Sequence, residues 1–278
     1  MGQFIHGDNI HSKLCKSKSG INKKLILEIS KRYNDWKQAN LSIIGTNKSD
    51  ISRKVDLFNE YKKFIDQEKF KKQGENKNGF TSQSKLHSTV LEEFMYYLFK
   101  DIEKIKNNND NPVTLGNNNA YTNLYFSPAN FDSLKNSVGI EIHTKNQDFA
   151  ICKQIIITSK PINSPTINTS EIFIPIVSIE CKTYLDKTMF EGSVSTAEKI
   201  KKGNPYSLFI IVTETYEVDR EVDPAYSLID QIYILRKDNN ENNPINFNIV
   251  YDLFCCVKNH LNSDWKNIDI KIKKGKLI

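Results

Sequence analysis

Long apolar runs are what this sequence most plainly lacks. No stretch approaches the ~20 consecutive apolar residues that a membrane-spanning helix requires. With 38% hydrophobic residues and a mean hydropathy of -0.51, the chain reads as soluble. Cysteine is sparse as well. Cys15, Cys152, Cys181, Cys255 and Cys256 are odd in number and none stands in a CxxC pair. That spacing argues against a zinc ribbon and suits a reduced, cytoplasmic protein. The first residues, MGQFIHGDNIHSKLCK, show neither the basic start nor the apolar stretch of a signal peptide, and His6 stands where a myristoylation signal wants Ser or Thr. No GxGxxG or GxxxxGK[ST] loop occurs, which argues against nucleotide-driven chemistry. His6, His11, His87, His143 and His260 show no HExxH or metal-pair spacing. Cys152 and Cys181 fall inside apolar strand-like runs, where an inert buried thiol is expected, so a Cys-His hydrolase is disfavoured.

What the chain does have is length enough for a large core and a mild excess of positive charge. Its 278 residues carry 39 basic and 33 acidic side chains, a net charge of +6. That balance permits a polyanionic partner without demanding one. The first part of the chain reads as helical: Ile21, Leu25, Ile29, Tyr33 and Trp36 recur at helical spacing, and Ser49-Asp50 can cap a helix carrying Val55, Phe58 and Ile65. A polar stretch, KFKKQGENKNG (69–79), reads as a linker or loop. SKLHSTVLEEFMYYLFKDIEKIK (84–106) carries one broad apolar helical face, and NNNDNPVTLGNNN (107–119) reads as a surface loop. From about residue 120 the pattern turns to strands: VGIEIHT, DFAICKQIIIT, EIFIPIVSIECK, then a helix over 183–203, then YSLFIIVTE and QIYILR, and a closing helix at 247–261. The expected class is α/β, a mixed sheet flanked by helices (α+β). We expect a helical N-terminal region, 1–78, and a core, 79–278.

One strand ends oddly. IVSIECKTYLDKTMFE closes an apolar run with Glu180-Cys181-Lys182. Side chains alternate along a strand, so Cys181 joins Val177 and Ile179 on the hydrophobic face while Glu180 and Lys182 emerge together on the other. Asp148 opens an earlier apolar strand. Were the two strands to pair, a carboxylate from each would meet beside the lysine. Two hard oxygen ligands suit Mg²⁺, and a neighbouring lysine suits an attacking water or charge building on a phosphate. The plain alternative is a surface salt bridge capping a strand end.

Asp148 followed by Glu180-Cys181-Lys182, then by a helix and a strand, resembles the PD-(D/E)XK nuclease superfamily. Within it, LEEFMYYLF (91–99) with IECKTYLDKTMF (179–190) resembles type II restriction endonucleases of the Bpu-ten-I group, over roughly 84–214. The resemblance implies a restriction-endonuclease-like core, Mg²⁺-dependent cleavage of double-stranded DNA at a short specific sequence, and catalytic roles for Asp148, Glu180 and Lys182. No Pro precedes Asp148, which leaves Glu141 and Asp132 as alternatives. It also implies a prokaryotic, cytoplasmic enzyme, and leaves open a homodimer, a heterodimer with a partner subunit, or a monomer cutting one strand at a time.

A further carboxylate for the metal or its waters is expected from the 91–98 helix, where Glu92 and Glu93 stand. At ~100° per residue Glu93 falls on the flank of the apolar face and Glu92 nearer solvent, so helical geometry favours Glu93, whereas family patterns favour Glu92. Lys187, Lys199, Lys201 and Lys202 cluster on or near the next helix and suit DNA phosphates, although a solvated helix face carries lysines too. Thr183 and Tyr184 follow Lys182 directly and either touch the scissile region or pack. Base-reading groups are sought in the loops at 107–119 and 159–170. Two other readings stay open: a structure-specific repair or recombination nuclease of the same fold, and a DNA-binding module without the chemistry.

Overall fold

A computed structural model describes residues 2–17, 19–72, 77–81, 84–106, 112–136, 139–162, 167–266, 268–273 and 275. Three helices come first: α1 (Ile5–Lys16), α2 (Ile21–Ser42) and α3 (Lys48–Ile65). Asn47, rather than Ser49, caps α3. Its side chain accepts from the Asp50 backbone while the Asp50 carboxylate reaches back to the Asn47 N–H, a reciprocal capping box.

The helix expected over 84–106 is shorter than its apolar pattern. It forms as α4 (Thr89–Phe99), followed by a single turn, α5 (Glu103–Lys106). Before it, Lys85 takes a left-handed backbone at φ 56°. After it, Asp101 is taken up by the buried Lys54 ammonium at 3.2 Å and by Lys100 at 2.7 Å. That buried ion pairing overrides local helix propensity.

A five-stranded sheet follows, ordered β1 (Val113–Phe126), β2 (Ile140–Ser159), β3 (Asn168–Leu185), β4 (Leu208–Tyr216), β5 (Gln231–Ile234). β2 runs antiparallel to both β1 and β3, β1 also touches β3 in a parallel pairing at Ala120–Phe173, and β3, β4 and β5 run parallel. Short α6 (Phe131–Asn136) joins β1 to β2, and α7 (Lys187–Gly203) makes the crossover from β3 to β4. The chain closes with α8 (Phe247–Asn262) and short α9 (Ile268–Lys273). β4 is buried along seven consecutive residues, as its unbroken apolar run predicts for a central parallel strand.

Two expectations in this region are corrected. The Asn-rich 112–119 stretch is not a loop but the start of β1, since its amides bond within and across strands, as Asn118 does to the Thr114 hydroxyl at 2.8 Å and Asn117 to the Gln147 carbonyl at 2.9 Å. The two strands expected near 138–144 and 148–158 are one long β2. Residues 107–111 of that expected loop, 73–76 of the expected linker, 138 of the first strand and 163–166 of the 159–170 loop lie outside the described residues.

The main core runs without a break from α2 and α3 (Ile29, Trp36, Phe58, Tyr61) through α4 (Phe94, Leu98) to the sheet (Phe149, Ile179, Val212) and α8 (Phe254). A smaller one lies between α7 and the other sheet face, around Phe190, Ala197, Ile200 and Ile211.

Candidate active site

The register of β2 on β3 decides which carboxylates meet. Phe149 faces Ile179, so one residue further on Asp148 comes opposite Glu180. On β1 the ladder jumps from Gly116–Ala150 to Asn118–Gln147, leaving Asp148 and Phe149 together opposite Asn117. Such a bulge re-aims side chains and is frequent beside active sites. Here it turns Asp148 toward the end of β3.

Lys182 then sits between two carboxylates. Its Nζ donates to Asp148 Oδ2 at 3.1 Å and to Glu180 Oε2 at 2.8 Å. The Cys181 backbone N–H donates to the same Asp148 oxygen at 2.9 Å. Burial pulls the Lys182 ammonium downward, but Asp148 and Glu180 together outweigh it and hold its pKa above the ordinary range. Burial and the Asp148 charge push the Glu180 carboxyl up, with Lys182 pulling the other way. Cys181 packs into the core, where burial raises its thiol. An inert thiol on the hydrophobic face is what strand alternation predicted.

Glu92 on α4 completes the group. It lines one cavity of about 180 Å³ with Asp148, Lys182, Thr183, Tyr184 and Met189. Burial first, then the Asp148 charge, pushes its carboxyl up to about 8, against Lys85 and Lys182. Glu93 turns the other way, correcting the helical-wheel preference. It accepts from the backbone N–H groups of His6 (3.0 Å) and Gly7 (3.1 Å) and from the hydroxyls of Tyr33 (3.0 Å) and Tyr97 (2.5 Å). The Phe4 side chain offers α1 no cap, so Glu93 serves as one, with its negative charge on the positive end of the helix. α1 comes close enough for this because residue 7 is glycine: a Cβ there would lie 2.2 Å from the Tyr33 hydroxyl.

The remaining candidates divide. Thr183 and the exposed Tyr184 stand at the cavity mouth. Lys187, exposed, opens α7. Lys199, Lys201 and Lys202 lie at the far end of α7, ~20 Å along its axis at ~1.5 Å per residue, and Lys201 is bound to Asp230 at 2.6 Å. Glu141 hydrogen-bonds Ser127, and Asp132 pairs with Lys135 on α6; neither joins the group. Sequence reasoning missed Lys85 and Lys145, whose charges act on Glu92 and Glu180, and the Glu93 cap. No local pattern marks the two lysines. Two adjacent acids in an apolar helix were the only hint of the cap.

Among the described residues no three His, Cys, Asp or Glu side chains stand together as a ready metal cage. The donor set is nevertheless one of hard oxygens around a cation, two carboxylates closing on one ammonium. It fits a small divalent ion that keeps several waters and takes one or two carboxylates plus substrate phosphate.

A solved structure described as "native BbvCI A2B2 tetramer at low resolution" shares the fold, with a TM-score of 0.67 and 17% identity over 94% of this chain and 97% of that one. No curated protein matches. The family model described as Bpu10I restriction endonuclease matches residues 83–260, from the approach to α4 through nearly all of α8. A match of that extent places the chain in the Bpu10I restriction endonuclease family, as a site-specific endodeoxyribonuclease of a family that works with divalent metal.

Proposed function

We propose that this chain hydrolyses phosphodiester bonds of duplex DNA at a short specific sequence with Mg²⁺, using Asp148, Glu180 and Lys182. The observation that supports it most is the meeting of Asp148 and Glu180, from paired strands, on the single ammonium of Lys182. Asp148 and Glu180 would hold Mg²⁺, which would polarise the phosphoryl group and lower the pKa of a bound water.

The protein's own part is positioning. Asp148 and Glu180 supply carboxylate oxygens from two strands of one sheet, so their separation is fixed by backbone pairing. Lys182 would donate to the attacking water or to charge building on the phosphate. Glu92, across the cavity on α4, would supply a further carboxylate for the metal or its waters. Thr183 and Tyr184 meet the sugar-phosphate backbone at the rim, and the α7 lysines hold phosphates further along.

The division into a helical region, 1–78, and a nuclease core, 79–278, belongs to this reading and is supported by a family match that begins at residue 83. Pairing with a second subunit, identical or different, is supported by the A2B2 description of BbvCI. A prokaryotic, cytoplasmic setting follows from a restriction role; no described helix is long and apolar enough to cross a membrane.

A plasmid digest tests the reading. Discrete fragments with Mg²⁺, none in excess EDTA, and binding without turnover in Ca²⁺ are expected. Full activity in EDTA removes the metal mechanism. Structure-dependent nicks would mean a repair nuclease, and a shifted but uncut band a binding module.

A further inference from the structure

A second cavity, about 570 Å³, opens from the catalytic one and shares Lys85, Glu92 and Asp148 with it. Its far wall is α1, which presents Ser12, Lys13 and Lys16. Its near wall is the edge of the β1–β2 pair, where Asn117 and Asn146 line the space. Beyond those shared residues, the catalytic reading leaves this groove unused.

The two asparagines are placed by the same device that places Asp148. Asn117 stands opposite the bulge that holds Asp148 and Phe149. Asn146 lies two residues before Asp148 on β2, next to the bulge, and lines the same cavity as Asp148 and Asn117. Their amides are bonded to each other, Asn117 Nδ2 to Asn146 Oδ1 at 3.2 Å and Asn146 Nδ2 to Asn117 Oδ1 at 3.1 Å. Asn146 also donates to Asn119 at 3.3 Å. Asn146 and Asn119 are exposed. Exchanging an exposed amide–amide bond for an amide–base bond costs little, because the two are of like strength. An asparagine amide matches the N6/N7 edge of adenine with two hydrogen bonds.

Across the groove, Lys13 and Lys16 supply charge without sequence information. Burial lowers the Lys13 ammonium, and Lys16 beside it lowers it further, a repulsion that an anion between them would relieve. Asp8 is the acidic residue on this α1 wall, and Lys85 adds a third cation where the two cavities join.

We propose that this groove is the sequence-reading track of the enzyme. Asn117 and Asn146 contact base edges beside the scissile phosphate, and Lys13 and Lys16 grip the phosphate backbone opposite. The proposal rests on the catalytic reading for the position of the cut. It goes beyond it by naming the groups that choose the sequence.

The test uses the full chain and a pool of linear duplexes with a randomised central block, sequenced at the cut ends. Asn117→Ala and Asn146→Ala should each relax the preference at one or two base pairs next to the cut by ~10- to 100-fold. A Lys13→Ala/Lys16→Ala pair should keep the preferred sequence, weaken binding to every duplex alike, and flatten the log-affinity against log-salt slope by ~1.8. Melting temperature is measured on each variant. Should Asn117→Ala fail to fold, the exposed Asn146 decides the question by itself. An unchanged cut-site preference in a folded Asn146→Ala overturns the proposal, as does a loss of rate equal for all sequences. Glu180→Gln, run in parallel, separates the two readings: if it cleaves normally the catalytic assignment fails, whatever the asparagines show.

Discussion

Glu92 and Glu93 are neighbours with opposite expected fates, and exchanging each for glutamine separates them. Two donors converge on each Glu93 oxygen, the His6 and Gly7 backbone N–H groups on Oε2 and the Tyr33 and Tyr97 hydroxyls on Oε1. In Glu93→Gln one oxygen becomes an NH₂ and meets two donors with a donor. Each lost hydrogen bond to a charged acceptor costs ~1.5–3 kcal/mol, so the substitution should cost ~3–6 kcal/mol. At ~2.1 cal/mol/K of unfolding entropy per residue, a chain of this length loses ~0.6 kcal/mol per degree, and Tm should fall by ~5–10 °C. Cleavage per folded molecule should persist, because the side chain points to α1 and not into the catalytic cavity. Glu92→Gln should do the reverse. Burial and Asp148 push the Glu92 carboxyl up to about 8, so the fold already favours a neutral group there, and a neutral glutamine should leave Tm unchanged or higher. Loss of an outer carboxylate to the metal should slow cleavage ~10- to 100-fold. Thermal unfolding followed by scanning calorimetry, beside single-turnover cleavage corrected for folded fraction, reads both. Unchanged Tm with lost cleavage in Glu93→Gln would refute the assignment and return Glu93 to the metal.

Lys182→Ala should stop cleavage while DNA is still bound in Ca²⁺ and Tm moves little; activity retained alongside a large stability loss would favour the plain salt bridge. Acid should weaken the fold through His6, whose ring meets Thr89 at 2.9 Å and Tyr61 at 2.8 Å. Burial, then the charges of His87 and Lys62, lowers its pKa to about 3 from 6.5. Between those values the unfolded chain binds a proton that the folded chain does not, so stability falls as pH falls through that window, by at most ~1.4 kcal/mol per pH unit. Denaturant unfolding at stepped pH should show this slope in the wild type and not in His6→Gln; equal slopes would sink the idea. Among the α7 lysines, Lys199→Ala should remove about one unit of salt slope in DNA binding. Lys201→Ala should remove less, because Asp230 already neutralises that ammonium. Equal losses in a salt series would contradict this.

The parts of the fold legible in the sequence are those where one periodicity meets one environment. β4 is buried on both faces, so its unbroken FIIV run could be nothing but a central strand, and α8 carries an apolar stripe that begins and ends where the helix does. The misread parts are those where a distant partner overrides local pattern. The apolar repeat of α4 continues past Phe99, but the helix stops where the buried Lys54 takes Asp101. Asparagines look like a loop until a neighbouring strand gives their amides partners. Composition holds no trace of either event.

The candidate site divides along the same line, which explains why one carboxylate was easier to place than the other. Glu180 and Lys182 are two residues apart on a strand, so a period of two is enough to put them on one face. Asp148 needs only one further fact, the β2–β3 register, which the two apolar runs nearly dictate. The choice between Glu92 and Glu93 depends instead on α1, more than eighty residues away in sequence, whose uncapped N-terminus claims whichever acid faces it. Once Glu93 is held by that helix end, the hundred-degree step to its neighbour leaves Glu92 aimed at Asp148. Capping α1 and orienting Glu92 toward Asp148 are thus one event. Anything that loosens α1, such as a side chain at Gly7, should disturb Glu92 before it disturbs Asp148 or Glu180.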